Sequence, residues 1–177
     1  MHRVSRNAIV DNWKRQQYDP DVDIEKEEEI INALKLEIKE LERKKREAYK
    51  NGLREQLNYF INRKTEKEKD LKNSILNIIK HSILDNSFGK SLNISEEFPF
   101  TCVVDFHGLK VKEAEVLGEL LLEKKDVHIK KMKWITGVGN HSKNNFSILK
   151  QKLKGLLQYY DISYEEQSDR LIFSTNW

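Results

Sequence analysis

The chain has 177 residues, of which 34% are charged and 38% hydrophobic, and its formal net charge is +3. This length fits one compact domain with an appendage or two small domains, and the polar composition indicates that part of the chain lies outside any large core. A single cysteine, Cys102, excludes an intramolecular disulfide and favours a reducing compartment, so we expect a cytoplasmic protein, with the nucleus as the alternative. No apolar run approaches the roughly 20 residues of a membrane span, so a membrane is not expected as a partner.

The N-terminal part of the chain divides into a tail, a helical extension and a linker. Residues 1–22 are expected to form a disordered tail. Residues 23–86 are predicted to be helical, because apolar residues recur at spacings of three, four and seven while glycine and proline are scarce. The dipeptide Asn51-Gly52 predicts a break, so we expect a hairpin of two helices. One long rod and a homodimer formed through the first apolar stripe are the alternatives. Residues 87–99 then form a linker.

From residue 100 the pattern changes to short strands that alternate with single helices. Strands are predicted for "TCVVDF" and "HIKKMKWIT", a helix follows each of them, and the chain ends in a hairpin of two short strands. The order β-α-β-α-β-β predicts a small α/β domain over residues 100–177. The first two strands should be parallel, because crossovers of this kind are right-handed, and ligands bind beyond the carboxyl ends of such strands.

Polar, glycine-bearing segments follow both of these strands. Asp105 and His107 stand at the end of the first strand, where ideal alternation would place them on one side. Such a pair could hold a divalent metal or activate water, or His107 could be hydrogen-bonded to Asp105 to fix the turn. After the second strand, Gly137 and Gly139 let the backbone approach a ligand. The next helix is expected to begin near residues 144–146, so its free amides favour a phosphate, although an ordinary strand-to-helix turn is the alternative.

Both segments resemble motifs of the Smr domain family, small domains related to the C-terminal part of certain MutS proteins. The first motif is "DFHGL" at Asp105–Leu109, followed by Glu113-Ala114, and the second is "TGVGNHS" at Thr136–Ser142. Their order and spacing agree with the family over residues 100–175. The preceding helical segment loosely resembles the extension found before Smr domains in some eukaryotic proteins.

The resemblance implies a two-layer α/β sandwich like the C-terminal domain of bacterial translation initiation factor three, and a structure-selective endonuclease acting on DNA or RNA. Asp105 and His107 match the family's Asp and His, with Mg²⁺ or Mn²⁺ as the implied cofactor and Asp105 as its candidate ligand. The candidate phosphate-binding residues are Gly108, Thr136, Gly137, Val138, Gly139, Asn140, His141 and Lys143. Many members carry Arg or Lys where this chain has Val138, and such a cation would neutralise charge during cleavage. A non-catalytic module that binds nucleic acid or the ribosome is therefore the alternative.

Overall fold

A computed structural model describes residues 8–85, 93–97, 101–123, 129–137 and 147–175. These residues fall into two compact units: Asp19–His81 is the helical unit, and the segments on either side of it in sequence form the α/β unit. The described helices are α1 (Ala8–Gln17), α2 (Ile24–Lys50), α3 (Arg54–Asp85), α4 (Val111–Glu123) and α5 (Ile148–Tyr159). The described strands are β1 (Asn93–Glu97), β2 (Thr101–Asp105), β3 (Lys131–Ile135), β4 (Glu165–Glu166) and β5 (Arg170–Ser174). No helix within these ranges is both long and apolar enough to span a membrane.

The helical unit consists of α2 and most of α3, joined by a tight turn. The α2 helix starts after Asp23, whose carboxylate accepts a hydrogen bond of 3.1 Å from the backbone N–H of Lys26. It ends at Asn51, and Gly52 then adopts a φ of +67°, a left-handed conformation that glycine takes without steric cost. The chain therefore reverses at the position where the sequence predicts a break.

Polar contacts between α2 and α3 run in antiparallel register, which makes the pair a hairpin and not a rod. The contacts are Glu42–Lys64 at 3.1 Å, Glu37–Lys67 at 3.2 Å and Glu27–Asn77 at 2.8 Å. Hydrogen bonds from Lys45 and Lys64 lower the pKa of Glu42 to about 2. The buried apolar residues of this unit are Ile31, Leu34, Ala48, Leu71, Ile75, Ile78 and Ile79.

A mixed five-stranded sheet with the order β1-β2-β3-β5-β4 forms the centre of the α/β unit. The adjacent strands β2 and β3 are parallel, as predicted, and the other neighbouring pairs are antiparallel. On one face of the sheet, the central strands β2, β3 and β5 carry only buried apolar residues, which are Cys102, Val104, Met132, Trp134, Leu171 and Phe173. Helices α4 and α5 pack here: a β-carbon added at Gly118 of α4 would lie 2.8 Å from Leu156 of α5 and 3.4 Å from Trp134.

The starts of α4 and α5 are fixed by side-chain caps. The Glu113 carboxylate accepts a hydrogen bond of 2.8 Å from the backbone N–H of Lys110. Ser147 caps α5, so that helix begins at Ile148, whereas the predicted start at residues 144–146 lies outside the described residues. Ile148, the first residue of α5, is apolar but 63% exposed. Lys150 lies on the buried face instead, and a residue two positions away on a helix points to nearly the opposite side.

Two segments that were expected to lack regular structure contain some. Within the predicted tail, α1 packs against β1, and Val10 and Trp13, three residues apart on one helical face, are buried. Within the predicted linker, Asn93–Glu97 forms β1, and the remaining linker residues lie outside the described ranges. Pairing with β1 satisfies the backbone hydrogen bonds along what would otherwise be an open edge of β2.

Candidate functional site

The turn after β2 places His107 at an exposed corner. Asp105 is the last residue of β2, and its Oδ1 atom accepts a hydrogen bond of 2.8 Å from the backbone N–H of His107. The carbonyl of Phe106 accepts the N–H of Leu109 at 3.1 Å, which closes a four-residue turn. Gly108 occupies the third position of this turn with a φ of +89°, as a type II turn requires. The turn-fixing alternative for Asp105 is therefore the one observed, with the backbone of His107 as the donor.

The His107 ring meets the loop after β3, although the two segments are 30 residues apart in sequence. A backbone hydrogen bond of 2.9 Å from Phe106 to the Ile135 carbonyl extends the parallel pairing beyond β2. Gly137 has a φ of +73°, and a β-carbon added there would lie 3.3 Å from Nδ1 and 3.9 Å from Cε1 of His107. The Nδ1–Cε1 edge of the imidazole thus lies against the Gly137 backbone. The loops after β2 and β3 therefore meet at this pair.

The backbone carbonyl of Asp169 holds the loop after β3. It accepts hydrogen bonds from the Thr136 N–H at 2.8 Å, the Gly137 N–H at 3.1 Å and the Thr136 hydroxyl at 3.2 Å. The sequence analysis predicts Gly137 and Thr136 as phosphate-binding residues, and in the structure these donors are occupied by the Asp169 carbonyl. Antiparallel pairing of β3 with β5 brings the β4–β5 turn to the end of β3, where it satisfies these donors.

A buried lysine and an ion pair fix the β4–β5 turn, and sequence reasoning missed both. Lys150 Nζ donates to the carbonyls of Gln167 at 2.8 Å and Ser168 at 2.7 Å. The guanidinium of Arg170 makes a two-pronged contact with the Asp169 carboxylate, at 2.8 and 2.5 Å, and this hydrogen bonding lowers the pKa of Asp169. The sequence feature that indicates burial of Lys150 is its position three residues before the buried Leu153, which places it on the apolar stripe of the helix.

Several lysines of the α/β unit are paired with carboxylates. The ion pairs are Lys133–Glu97 at 2.5 Å, Lys152–Glu115 at 2.9 Å and Lys154–Glu166 at 2.7 Å. Lys154 hydrogen-bonds to Glu166 and thereby lowers the pKa of that carboxyl group. These lysines therefore contribute little net positive charge toward a ligand.

Five of the predicted site residues lie outside the part of the chain that the structure describes. They are Val138, Gly139, Asn140, His141 and Lys143. Across the described ranges, no group of three or more His, Cys, Asp or Glu side chains is arranged to hold a metal ion. Asp105 offers a carboxylate at the corner, with its Oδ1 atom already bonded to the backbone of His107.

Comparisons with protein-family models, with curated proteins and with solved structures find no match for this chain. The resemblance to Smr domains therefore rests on the two motifs and their spacing. The geometry adds that residues from both motifs lie side by side at the carboxyl ends of adjacent parallel strands.

Proposed function

We propose that the α/β unit is an Smr-like endonuclease domain that cleaves phosphodiester bonds of DNA or RNA, with His107 as its general base or acid. The observation that carries this proposal is the exposed His107 ring, seated against the Gly137 backbone beside the ends of β2 and β3. Ligands of open α/β sheets bind in this position. The apolar sheet face under α4 and α5 supports the two-layer sandwich that resembles the C-terminal domain of initiation factor three.

Histidine suits this role because it exchanges protons readily near neutral pH. With RNA, the imidazole would take the proton of a 2′-hydroxyl as that oxygen attacks the adjacent phosphorus. The bond to the 5′-oxygen breaks, that oxygen receives a proton, and the products carry a 2′,3′-cyclic phosphate and a 5′-hydroxyl. With DNA, a water molecule would replace the 2′-hydroxyl as the nucleophile. General acid–base catalysis of this kind contributes roughly 10²–10⁴-fold.

Asp105 acts first as a positioning residue, because its carboxylate anchors the backbone of His107. Its charge could also serve a divalent ion, since Mg²⁺ commonly binds through one or two carboxylates together with water and substrate phosphate oxygens. Asp105 would be the residue that holds Mg²⁺ or Mn²⁺, and the bound ion would neutralise phosphate charge. Asparagine at this position keeps the acceptor for the His107 N–H and removes the charge, whereas alanine removes both.

The test is a cleavage assay with the full chain on branched DNA and on single-stranded RNA, with Mg²⁺, with Mn²⁺ and with chelator. We expect His107→Ala to lower the rate by about 100-fold or more. Asp105→Asn removes only the carboxylate charge, whereas Asp105→Ala also removes the acceptor that anchors the turn. Comparison of the two variants therefore separates these contributions. Analysis of the product ends identifies the nucleophile. If His107→Ala and Asp105→Ala both cut as fast as the parent, the proposed site is wrong.

A non-catalytic module that binds nucleic acid or the ribosome is the second candidate. It is favoured by the commitment of the Gly137 and Thr136 donors to Asp169, together with an apolar Val138 in place of a cation. Fewer groups then remain to stabilise charge that develops during cleavage. Tight binding with no turnover under any of the metal conditions would support this candidate.

A further inference from the structure

Charge is distributed unevenly along the helical hairpin. Residues 43–64, called the tip from here on, contain eight Lys and Arg against two Glu, a formal charge of +6. Residues 19–42 contain ten Asp and Glu against three Lys, and residues 65–81 contain three Asp and Glu against four Lys, so together they carry −6. Glu42 contacts Lys64, so residues 19–42 and 65–81 lie side by side and form the base of the hairpin. The base is therefore acidic and the tip is basic.

The cations nearest the turn are free of ion pairs. Six of the eight cations in the tip pair with carboxylates, namely Arg43, Lys44, Lys45, Arg46, Arg63 and Lys64. Lys50 and Arg54, which flank the turn, are exposed and form no ion pair within the described part of the chain. Their charges are therefore available to a partner.

Exposed aromatic and apolar side chains accompany these charges. Tyr49 is 75% exposed and Tyr59 is 58% exposed, while Leu53 and Ile61 are each 42% exposed. The ring of Tyr59 contacts Phe60 edge to face, with 5.4 Å between the centroids. Tyr49 is the penultimate residue of α2 and Tyr59 the sixth of α3, so both rings lie within about two helical turns of the loop. Basic charge and exposed rings therefore occur on the same end of the hairpin.

We infer that the hairpin tip binds single-stranded RNA. Lys50 and Arg54 would contact phosphates, and Tyr49 and Tyr59 would stack on bases, which are accessible to stacking only where the strand is unpaired. Unpaired bases in RNA loops and bulges are the usual targets of such stacking, which favours RNA over DNA. The acidic base repels the same polyanion, so electrostatics direct the strand to the tip. This surface belongs to the helical unit, and its assignment does not depend on cleavage at His107.

The test measures binding by the full chain in a His107→Ala background, so that the probe stays intact. The probe is a fluorescein-labelled oligouridylate of about 16 nucleotides, a length within the range of known single-strand sites, followed by anisotropy at several KCl concentrations. Lys50→Gln with Arg54→Gln should weaken binding and lower the slope of log affinity against log salt by about 1.4, since each phosphate contact on a single strand contributes about 0.7. Tyr49→Ala and Tyr59→Ala should each lose about 5- to 150-fold in affinity with little change in that slope.

Matched controls are available in the same chain. Lys35→Gln with Lys39→Gln removes the same charge from exposed positions of α2 outside the tip. Tyr159→Ala removes a tyrosine that is 82% exposed in the α/β unit. Each control should stay within about twofold of the parent in affinity, and helical ellipticity should be unchanged in every variant.

Four results would overturn the inference: no binding of the oligouridylate by the parent, full affinity in the tip variants, an equal loss in the lysine control, or equal affinity for an oligodeoxythymidylate or an RNA duplex. Equal affinity for the duplex would show attraction to phosphate without base stacking, and equal affinity for the oligodeoxythymidylate would show no preference for RNA. Loss of binding confined to the tip variants supports the inference even if the chain with His107 intact cleaves nothing. In that case the proposed nuclease fails and the RNA-binding tip stands.

Discussion

Replacing Gly137 by alanine tests how the His107 ring is positioned. Gly137 has a φ of +73°, and a left-handed conformation costs a residue with a β-carbon roughly 1–2 kcal/mol. The added carbon would also lie 3.3 Å from His107 Nδ1, so the exposed ring must move by a few tenths of an ångström or leave its rotamer, at about 0.5–1.5 kcal/mol. The free energy of unfolding of the α/β unit should therefore fall by about 1.5–3.5 kcal/mol.

The same displacement should lower cleavage by roughly tenfold, because small errors in the position of a catalytic group have large effects on rate. Gly52→Ala is the matched control: its φ of +67° carries the same backbone cost, but no atom lies within 4 Å of the added carbon. It should destabilise the hairpin by roughly 1–2 kcal/mol and leave the stability of the α/β unit unchanged.

Unfolding of the α/β unit and unfolding of the hairpin can be measured separately in urea titrations. All three tryptophans, Trp13, Trp134 and Trp177, lie outside Asp19–His81, so their fluorescence follows the α/β unit, while ellipticity at a helical wavelength is dominated by the long helices. The chemical shift of the His107 ring proton on Cε1 reports displacement directly. A Gly137→Ala protein with parental stability, shift and activity would refute the packing of His107 on Gly137.

Five further substitutions test which contacts stabilise the fold. Gly155→Ala, at an exposed helical position with open space around it, should stabilise α5 by about 1 kcal/mol. Gly118→Ala should lower the free energy of unfolding by about 1 kcal/mol, because overpacking against α5 outweighs the gain in helix propensity. Urea unfolding measures both changes. Lys150→Met should destabilise the α/β unit by about 2–4 kcal/mol and slow cleavage, while Lys154→Gln, which removes a partly exposed ion pair, should change stability by less than about 1 kcal/mol. The pKa of Glu42 lies below its ordinary 4.5 at about 2, so its stabilising effect is present above about pH 5 and is lost as the pH falls toward 2; Glu42→Gln should flatten the acid loss of ellipticity in this range.

The sheet was largely predictable because its strands carry strong local signals. β2 is a short buried segment rich in apolar residues, and β3 alternates lysine with apolar residues. The helix between them requires a crossover, which makes them parallel neighbours. β1 carries no such signal, since "NISEE" is polar and buries Ile94 as its apolar member. An edge strand of this kind is specified by the partner beside it more than by its own sequence. The same reasoning applies to α1, whose burial depends on its contact with β1.

The site was predictable only where neighbouring parallel strands bring residues together. The contact between His107 and Gly137 follows from the shared carboxyl edge of β2 and β3. The role of Asp169 does not, because the terminal hairpin alone does not show which strand β5 will pair with. Once β5 lies beside β3, the turn before it reaches Thr136 and takes the donors that a phosphate would otherwise use.

Because Asp169 occupies the Thr136 and Gly137 donors, we expect substrate affinity and cleavage to depend on different units. In the α/β unit Lys133, Lys152 and Lys154 are neutralised by carboxylates, whereas Lys50 and Arg54 at the hairpin tip form no ion pair with any described residue. If the tip binds an RNA substrate and His107 acts on it, neutralising Lys50 and Arg54 should raise KM and leave kcat near its parental value, because binding would be lost equally from the ground and transition states. His107→Ala should instead lower kcat and leave binding of the oligouridylate intact. A fall in kcat with unchanged KM in the tip variant would mean that the tip acts during the chemical step, and this division between the units would be wrong.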